Sequence, residues 1–447
     1  MKSAGGADGR RPGEQVSCVD GLATPWGPPA TDVGTSGKRI MARVVLAMSG
    51  GVDSSAAAWL LREAGHEVIG VFMRHGEKAQ EACAVDAPAD FQLPIFRPRG
   101  DHKQGCCSAQ DADDARRVAD QLDIPFYALN LEEEFRRIID YFVDEYSRGR
   151  TPNPCVQCNH WLKFGKLFDY ADSVGAEFVA TGHYAQLVPQ ADRAVPEGPP
   201  VTQPDPSGGT SESPRAKNAA RPPGVPDEPS TLALIRGVDA RKDQSYVLFG
   251  IPRHRLRRML LPVGGYHKAQ IRQIAARLGL RVADKKDSQE ICFVTSGRHD
   301  EFVRQRRRGG DLSGLIVTTS GRVVGQHPGI ERFTVGQRKG LGVALGEPYF
   351  VVRIEPDTRR VVIGRKEELA RQSLSASGCN WLVDPPDGAF ECLAQIRYNS
   401  PAVPAVAQVQ SGGRLEVRFC QPCYGVAPGQ AVVLYDGMRV LGGGWIE

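Results

Sequence analysis

The chain has no apolar run approaching the ~20 residues that cross a bilayer, which excludes a membrane-spanning helix and leaves a soluble protein with no membrane partner. It lacks a secretory signal, and its 11 cysteines are an odd number scattered over 447 residues. Together these exclude a secreted disulfide scaffold and point to a reducing compartment, the cytoplasm, with thiols that react or bind ligands. A large excess of one charge is also missing. Lys+Arg 56 against Asp+Glu 52 permits a polyanionic partner without requiring one. Residues 1–40 have no apolar periodicity and are expected to be disordered. They also lack the Arg-rich, acid-poor character of a transit peptide, and Met41, directly before the first apolar run, is the expected natural start.

One small absence bears on chemistry. The apolar run Val44–Met48 stops at Ser49-Gly50-Gly51-Val52-Asp53-Ser54-Ser55, and an Ala/Leu-rich helical run follows. Glycines at a strand-to-helix junction let backbone approach a phosphate, and helix N–H groups and serine hydroxyls supply donors. No Lys-Ser/Thr ends this loop, so the lysine of the Walker A pattern is missing. That turns the reading from kinase-like chemistry toward pyrophosphate release, and the loop resembles the PP-loop of ATP pyrophosphatases.

Beyond the loop, strands alternate with helices as far as Phe178–Tyr184, which predicts a doubly wound parallel sheet with ligands at the carboxyl ends of its strands. The loop, Met73 and Gly182-His183 all fall at such ends. A PP-loop domain is expected over 41–253, interrupted by a flexible insertion at 185–230; residues 189–229 hold 11 of the 32 prolines. Arginine clusters at 253–258 and 304–308 flank a short helix and suggest a small α-rich domain at 254–332 that contacts phosphates. The strands Phe350–Ile354, Val361–Ile363 and Ala431–Tyr435 predict a closed all-β barrel over 333–447.

Cys155 and Cys158 form a proline-stiffened Cys-x-x-Cys at a helix entrance, where the dipole favours thiolate, and Cys292 has Lys285 and Lys286 nearby to stabilise an anionic sulfur. A half zinc site at 155/158 and a buried apolar cysteine at 292 are the alternatives.

The ordered set MSGGVDSS, GVFM, TPNPxxxCN, TGHYA, KDQSY, LPVG, KKDSQEICF, GQHxG, FTVGQRKGLG, QIRYNSP and LGGGWIE resembles the bacterial tRNA-uridine 2-sulfurtransferase family, from about Met41 to Glu447. The resemblance implies that ATP, with Mg²⁺, adenylates the 2-oxo group of a tRNA wobble uridine and that sulfur then displaces AMP. It implies ATP binding by Ala47, Met48, Ser49, Gly50, Gly51, Val52, Asp53, Ser54, Met73 and Gly182. Cys158 would be the nucleophile and Cys292 the persulfide carrier, passing through a disulfide. Asn153, Pro154 and Cys155 would face the base, and His183, Lys242, Asp243, Gln244, Arg397, Tyr398 and Gln430 would contact tRNA. A sulfur-donor protein, a cysteine desulfurase or a sulfur relay, is the second implied partner. Cys155 departs from the family's commoner Asp, so Cys155, Cys158 and Cys292 are expected instead to hold an iron–sulfur cluster with one open iron. The other readings are a PP-loop ligase forming an amide or amidine on a small molecule, which needs neither thiols nor a basic domain, and a catalytically silent tRNA-binding protein.

Overall fold

The computed structural model describes residues 42–74, 109–189, 232–287, 291–294, 299–307 and 309–447. The expected disordered extension at 1–40 lies outside them, as does most of the expected insertion.

The first apolar run forms β1 (Arg43–Ala47), and the loop leads into α1 (Val52–Glu63) and β2 (Glu67–Arg74). α2 (Ala109–Gln121), β3 (Phe126–Asn130) and α3 (Glu132–Ser147) follow. α4 (Pro154–Cys158) runs on through π-helical turns at Asn159–Lys166 into α5 (Leu167–Ser173), then β4 (Phe178–Thr181). β5 (Ala185–Pro189), β6 (Leu232–Arg236) and the two-residue β7 (Met259–Leu260) come next. The core sheet has the order β3-β2-β1-β4-β7, every pair parallel. Val44, Val45 and Leu46 of β1 are wholly buried although successive side chains point to opposite faces, so both faces are covered, as a parallel sheet requires. Strand order reverses between β1 and β4, which makes the crevice beyond their carboxyl ends the ligand site of such sheets.

Several expected boundaries move. The insertion was expected to start at 185, yet Ala185–Pro189 is β5, paired antiparallel with β6 up to the rung Pro189↔Leu232. The sheet continues past 253, because β7 pairs Val179↔Met259. After it come α6 (Lys268–Arg277), α7 (His299–Arg306), β8 (Gly314–Thr318), β9 (Val323–His327), β10 (Phe350–Glu355) and β11 (Arg360–Gly364). β10 and β11 do not join the barrel. They make a four-stranded sheet β10-β11-β8-β9 in which β11 pairs parallel with β8, and Ile316, Val351, Val361 and Ile363 share one core. A strand's alternation shows that one face is buried but not which sheet it joins.

The barrel comprises β12 (Ala370–Trp381), β13 (Ala389–Gln395), β14 (Val403–Val409), β15 (Leu415–Tyr424), β16 (Ala431–Asp436) and β17 (Arg439–Ile446). Antiparallel pairing runs β12-β15-β14-β13-β16-β17 and returns from β17 to β12, closing six strands around Leu374, Ala394, Ala405, Val417 and Leu434. β6 also pairs with β17 at Ile235↔Arg439, so the β5–β6 hairpin extends the barrel's sheet. No described helix is long and apolar enough to cross a membrane.

Candidate active site

Ala47 of β1 and Thr181 of β4 are register partners, so the glycine loop and Gly182-His183 emerge side by side. Gly50 takes φ +67°, a left-handed conformation that favours glycine, and a Cβ there would lie 2.1 Å from the Asp111 carbonyl oxygen. A Cβ on Gly182 would lie 2.8 Å from the Ser54 nitrogen, so only glycine lets β4 end against the first turn of α1. Gly51 is the N-cap of α1 and gives no side-chain cap, which leaves first-turn N–H groups to a ligand. Ser54 Oγ accepts from the Ser49 N–H at 3.2 Å and lies 3.3 Å from Ser49 Oγ, closing the loop on itself.

Asp53 is not open to solvent chemistry alone. Lys268 Nζ donates to both its oxygens at 2.8 Å, and the Tyr184 hydroxyl donates to Oδ1 at 2.6 Å. Burial, reinforced by the charge of Asp53, raises the Tyr184 phenol and keeps it a donor. Lys268 also meets Asp287 at 2.8 Å, and Lys242 donates to Asp287 at 2.6 Å. Burial opposes the Asp287 charge, but hydrogen bonds from Lys242 and Lys268 outweigh it and hold that carboxyl below its usual range. Lys285, expected to serve the Cys292 sulfur, donates instead to the Gly50 carbonyl at 2.9 Å and to Asp111 and Asp114 at 2.6 Å each. Burial works against its charge as well, and the two aspartates overcome that, raising it above an ordinary lysine. The sequence singled out none of Lys268, Asp287, Asp111 and Asp114, because the pairs Lys268–Asp53, Lys285–Asp114 and Lys242–Asp287 join residues 215, 171 and 45 positions apart, beyond any short-range spacing.

The second group of residues surrounds the entrance of α4. Asn153 is its N-cap, its Oδ1 accepting from the Val156 N–H at 3.3 Å, and Pro154 stands in the first turn. Gln430 donates to the carbonyls of Thr151 and Pro152 at 3.2 and 3.1 Å and accepts from Asn153 Nδ2 at 3.4 Å, so the barrel holds this loop from outside. Cys155 is exposed, one helical turn before the half-buried Cys158. Cys158, Cys292 and Met73 all pack on the cluster of Phe135, Phe142, Leu162 and Phe293. Met73 is the last residue but one of β2, the neighbour of β1, so the thiol cluster and the glycine loop share the carboxyl edge of the sheet.

The expected iron–sulfur ligand set is not assembled. Among the described residues, no three His, Cys, Asp or Glu lie close enough to hold a metal ion, and no disulfide joins Cys155, Cys158 or Cys292. The helix explains it: Cys158 faces the apolar cluster with Cys292 while Cys155 faces solvent.

Most residues expected to touch tRNA have partners inside the protein. His183 is buried. Lys163, which can only donate, lies 3.4 Å from Nε2, so Nδ1 carries the proton and donates to Thr181 Oγ1 at 2.8 Å. Burial, assisted by Lys163, pushes its pKa far down and keeps it neutral. Asp243 accepts from Arg236, Ser245 and the Gly237 N–H, and Gln244 Oε1 accepts from the Tyr184 N–H. Arg397 is sunk between the carbonyls of Val335 and Gly425, at 2.6 and 2.9 Å, and burial lowers its pKa. Tyr398 is 39 % exposed. In the first arginine cluster, Arg255 and Arg258 bond the carbonyls of Phe164, Ala176 and Glu177 and stack over Phe168, stapling the end of α5 rather than offering a free basic face.

Comparison with known proteins follows this division. Residues 42–296 match the tRNA methyl transferase HUP domain, 300–365 the tRNA methyl transferase PRC-barrel domain, and 371–446 the aminomethyltransferase β-barrel domain. The chain is 56 % identical over 422 residues to a tRNA-specific 2-thiouridylase MnmA of Rhodopirellula baltica, covering 91 % of this chain and 96 % of that one. It is 43 % identical to proteins of the same name from Geobacter metallireducens and Carboxydothermus hydrogenoformans, covering 91 % of this chain and 96 % and 97 % of theirs.

Proposed function

The chain belongs to the tRNA-specific 2-thiouridylase family, and from that premise we propose that it replaces the 2-oxygen of a tRNA wobble uridine with sulfur at the expense of ATP. The observation that carries the proposal is the shared edge: a glycine loop at a helix N-terminus, and on the same edge two thiols remote in sequence but packed on one cluster. The domain descriptions speak of methyl transfer, but the thiol pair favours the relatives' chemistry.

A uridine 2-carbonyl is urea-like and a poor electrophile. Bound ATP would supply an adenylyl group to that oxygen, with loss of pyrophosphate, and so convert the oxygen into part of a leaving group. The first-turn N–H groups of α1 and the Ser49 hydroxyl are the donors for the phosphates. Mg²⁺ suits this site through the nucleotide's own oxygens and at most one or two carboxylates, since Asp53 already serves Lys268 and Tyr184. Asp53 thus orients the loop.

Cys292 would carry a persulfide received from a donor protein, a cysteine desulfurase or a sulfur relay. Its terminal sulfur attacks C2 as AMP departs with the original oxygen. Cys158 then attacks Cys292 Sγ, breaking the sulfur–sulfur bond, releasing the thiolated base and leaving a Cys158–Cys292 disulfide that a thiol reductant reopens. Cys155 takes no part in this sequence. Its exposure, and that of Tyr398, suits contact with tRNA.

The test is AMP formation with and without bulk tRNA, with mass spectrometry of the recovered tRNA nucleosides. Formation of 2-thiouridine and tRNA-dependent AMP are expected. AMP formation indifferent to tRNA would sink the proposal and favour a ligase acting on a small molecule.

A further inference from the structure

The glycine loop has no lysine of its own; Lys268 reaches its Asp53 side chain, and the cation on its backbone, Lys285, comes from 235 residues beyond Gly50. Lys285 Nζ spends all three of its N–H bonds, on the Gly50 carbonyl, Asp111 Oδ1 and Asp114 Oδ2. Its side chain is 17 % exposed and that of Asp111 only 4 %, so this knot lies beneath the loop rather than on the surface. Gly50 is held from two directions: the Asp111 backbone leaves no room for a Cβ, and the ammonium holds its carbonyl. The peptide joining Gly50 to Gly51 is planar and trans, so fixing its C=O toward Lys285 points the Gly51 N–H the opposite way. That N–H stands at the N-cap of α1, where an anion is expected.

We propose that Lys285 is a positioning residue for the nucleotide's β- and γ-phosphates, acting on them only through the Gly51 N–H that it aims. This deepens the ATP reading above and rests on it. The competing role is purely structural, a counter-ion for the buried Asp111 and the half-buried Asp114. The two roles separate when the aspartates are neutralised together with the lysine.

Calorimetric binding of ATP, inorganic pyrophosphate and AMP is compared for the full wild-type chain, Lys285→Met, Lys285→Arg and the triple variant Lys285→Met/Asp111→Asn/Asp114→Asn. Lys285→Met is expected to weaken ATP and pyrophosphate about tenfold or more, the size of one charged hydrogen bond, and AMP much less. Lys285→Arg should recover part of the loss. The triple variant should regain thermal stability without regaining ATP affinity, and it carries the test if Lys285→Met fails to fold. Equal weakening of ATP and AMP, or recovery of ATP affinity in the triple variant, would overturn the role of Lys285. A wild-type chain that binds neither nucleotide is a different result and overturns the ATP reading itself.

Discussion

Asp53 shows how much a single side chain in the loop carries. It joins α1, β4's exit at Tyr184 and α6 through three hydrogen bonds, two of them from a nearly buried lysine. Asp53→Ala would leave Lys268 with Asp287 alone and free the loop to turn. ATP–pyrophosphate exchange is expected to fall at least about tenfold, the size of one lost charged hydrogen bond, while tRNA binding in a filter assay is unchanged. Retained exchange would show that the loop assignment is wrong. The thiols give a second expectation at this scale: Cys158→Ser and Cys292→Ser abolish 2-thiouridine by nucleoside mass spectrometry but spare AMP formation, and Cys155→Ser keeps thiolation. An iron- and sulfide-bearing protein after anaerobic purification, with Cys155→Ser inactive, would restore the cluster. At the residue scale the glycines of the strand-to-helix turn and the helix entrance that carries Cys155 and Cys158 were legible from local pattern. The partners of Asp53 and Gly50 were not, since ion pairs closed by the fold leave no mark on nearby spacing. His183 and Arg397, set against tRNA by the resemblance alone, make internal hydrogen bonds that no local pattern marks.

Among the elements, the helix carrying the thiols begins where the barrel grips it. Asn153 caps α4 and is itself held by Gln430, so Asn153→Ala removes a cap worth about 1 kcal/mol and slackens that grip. A lower melting temperature with reduced thiolation and intact ATP–pyrophosphate exchange is expected; an unchanged melting temperature would discount the cap. The β5–β6 hairpin supports another expectation. The ends of the chain between 190 and 231 meet across one rung, Pro189↔Leu232, so a short Gly/Ser turn can replace that stretch without stretching either strand. Folding and activity should survive, and loss of soluble protein would refute this. Most strands and helices of the first domain were readable, the strands as continuous apolar runs and the helices by their period, but β5, β7 and every barrel strand except β16 were not singled out. The pairing of β11 with β8 was not, because parallel partners come from distant sequence and the pattern names no partner.

For the molecule as a whole, histidine burial sets the response to acid. His66, His160, His183, His299 and His327 all have pKa values lowered chiefly by burial, with Lys163 adding to the effect on His183 and Arg137 on His160. Unfolded, each takes up a proton near pH 6.5, and folded it resists, so the unfolded chain binds more protons and stability falls as pH drops below that value. Asp239 and Asp287, held ionised by the fold, extend the loss below about pH 4. Thermal melts should hold their midpoint from pH 8 to about pH 7 and then fall progressively to pH 5, and a profile flat across that lower range would contradict the buried neutral imidazoles.

The contact between β6 and β17 bears on how such a chain can be cut. Because β6 meets β17 at the rung Ile235↔Arg439 and the Arg236 N–H donates to the Met438 carbonyl, a fragment ending before Ala370 would leave these backbone groups of β6 without their barrel partners. Such a fragment would retain the nucleotide loop yet tend to self-associate through that open edge. Size-exclusion chromatography of residues 41–369 would then show a stronger dependence of apparent size on concentration than the full chain shows.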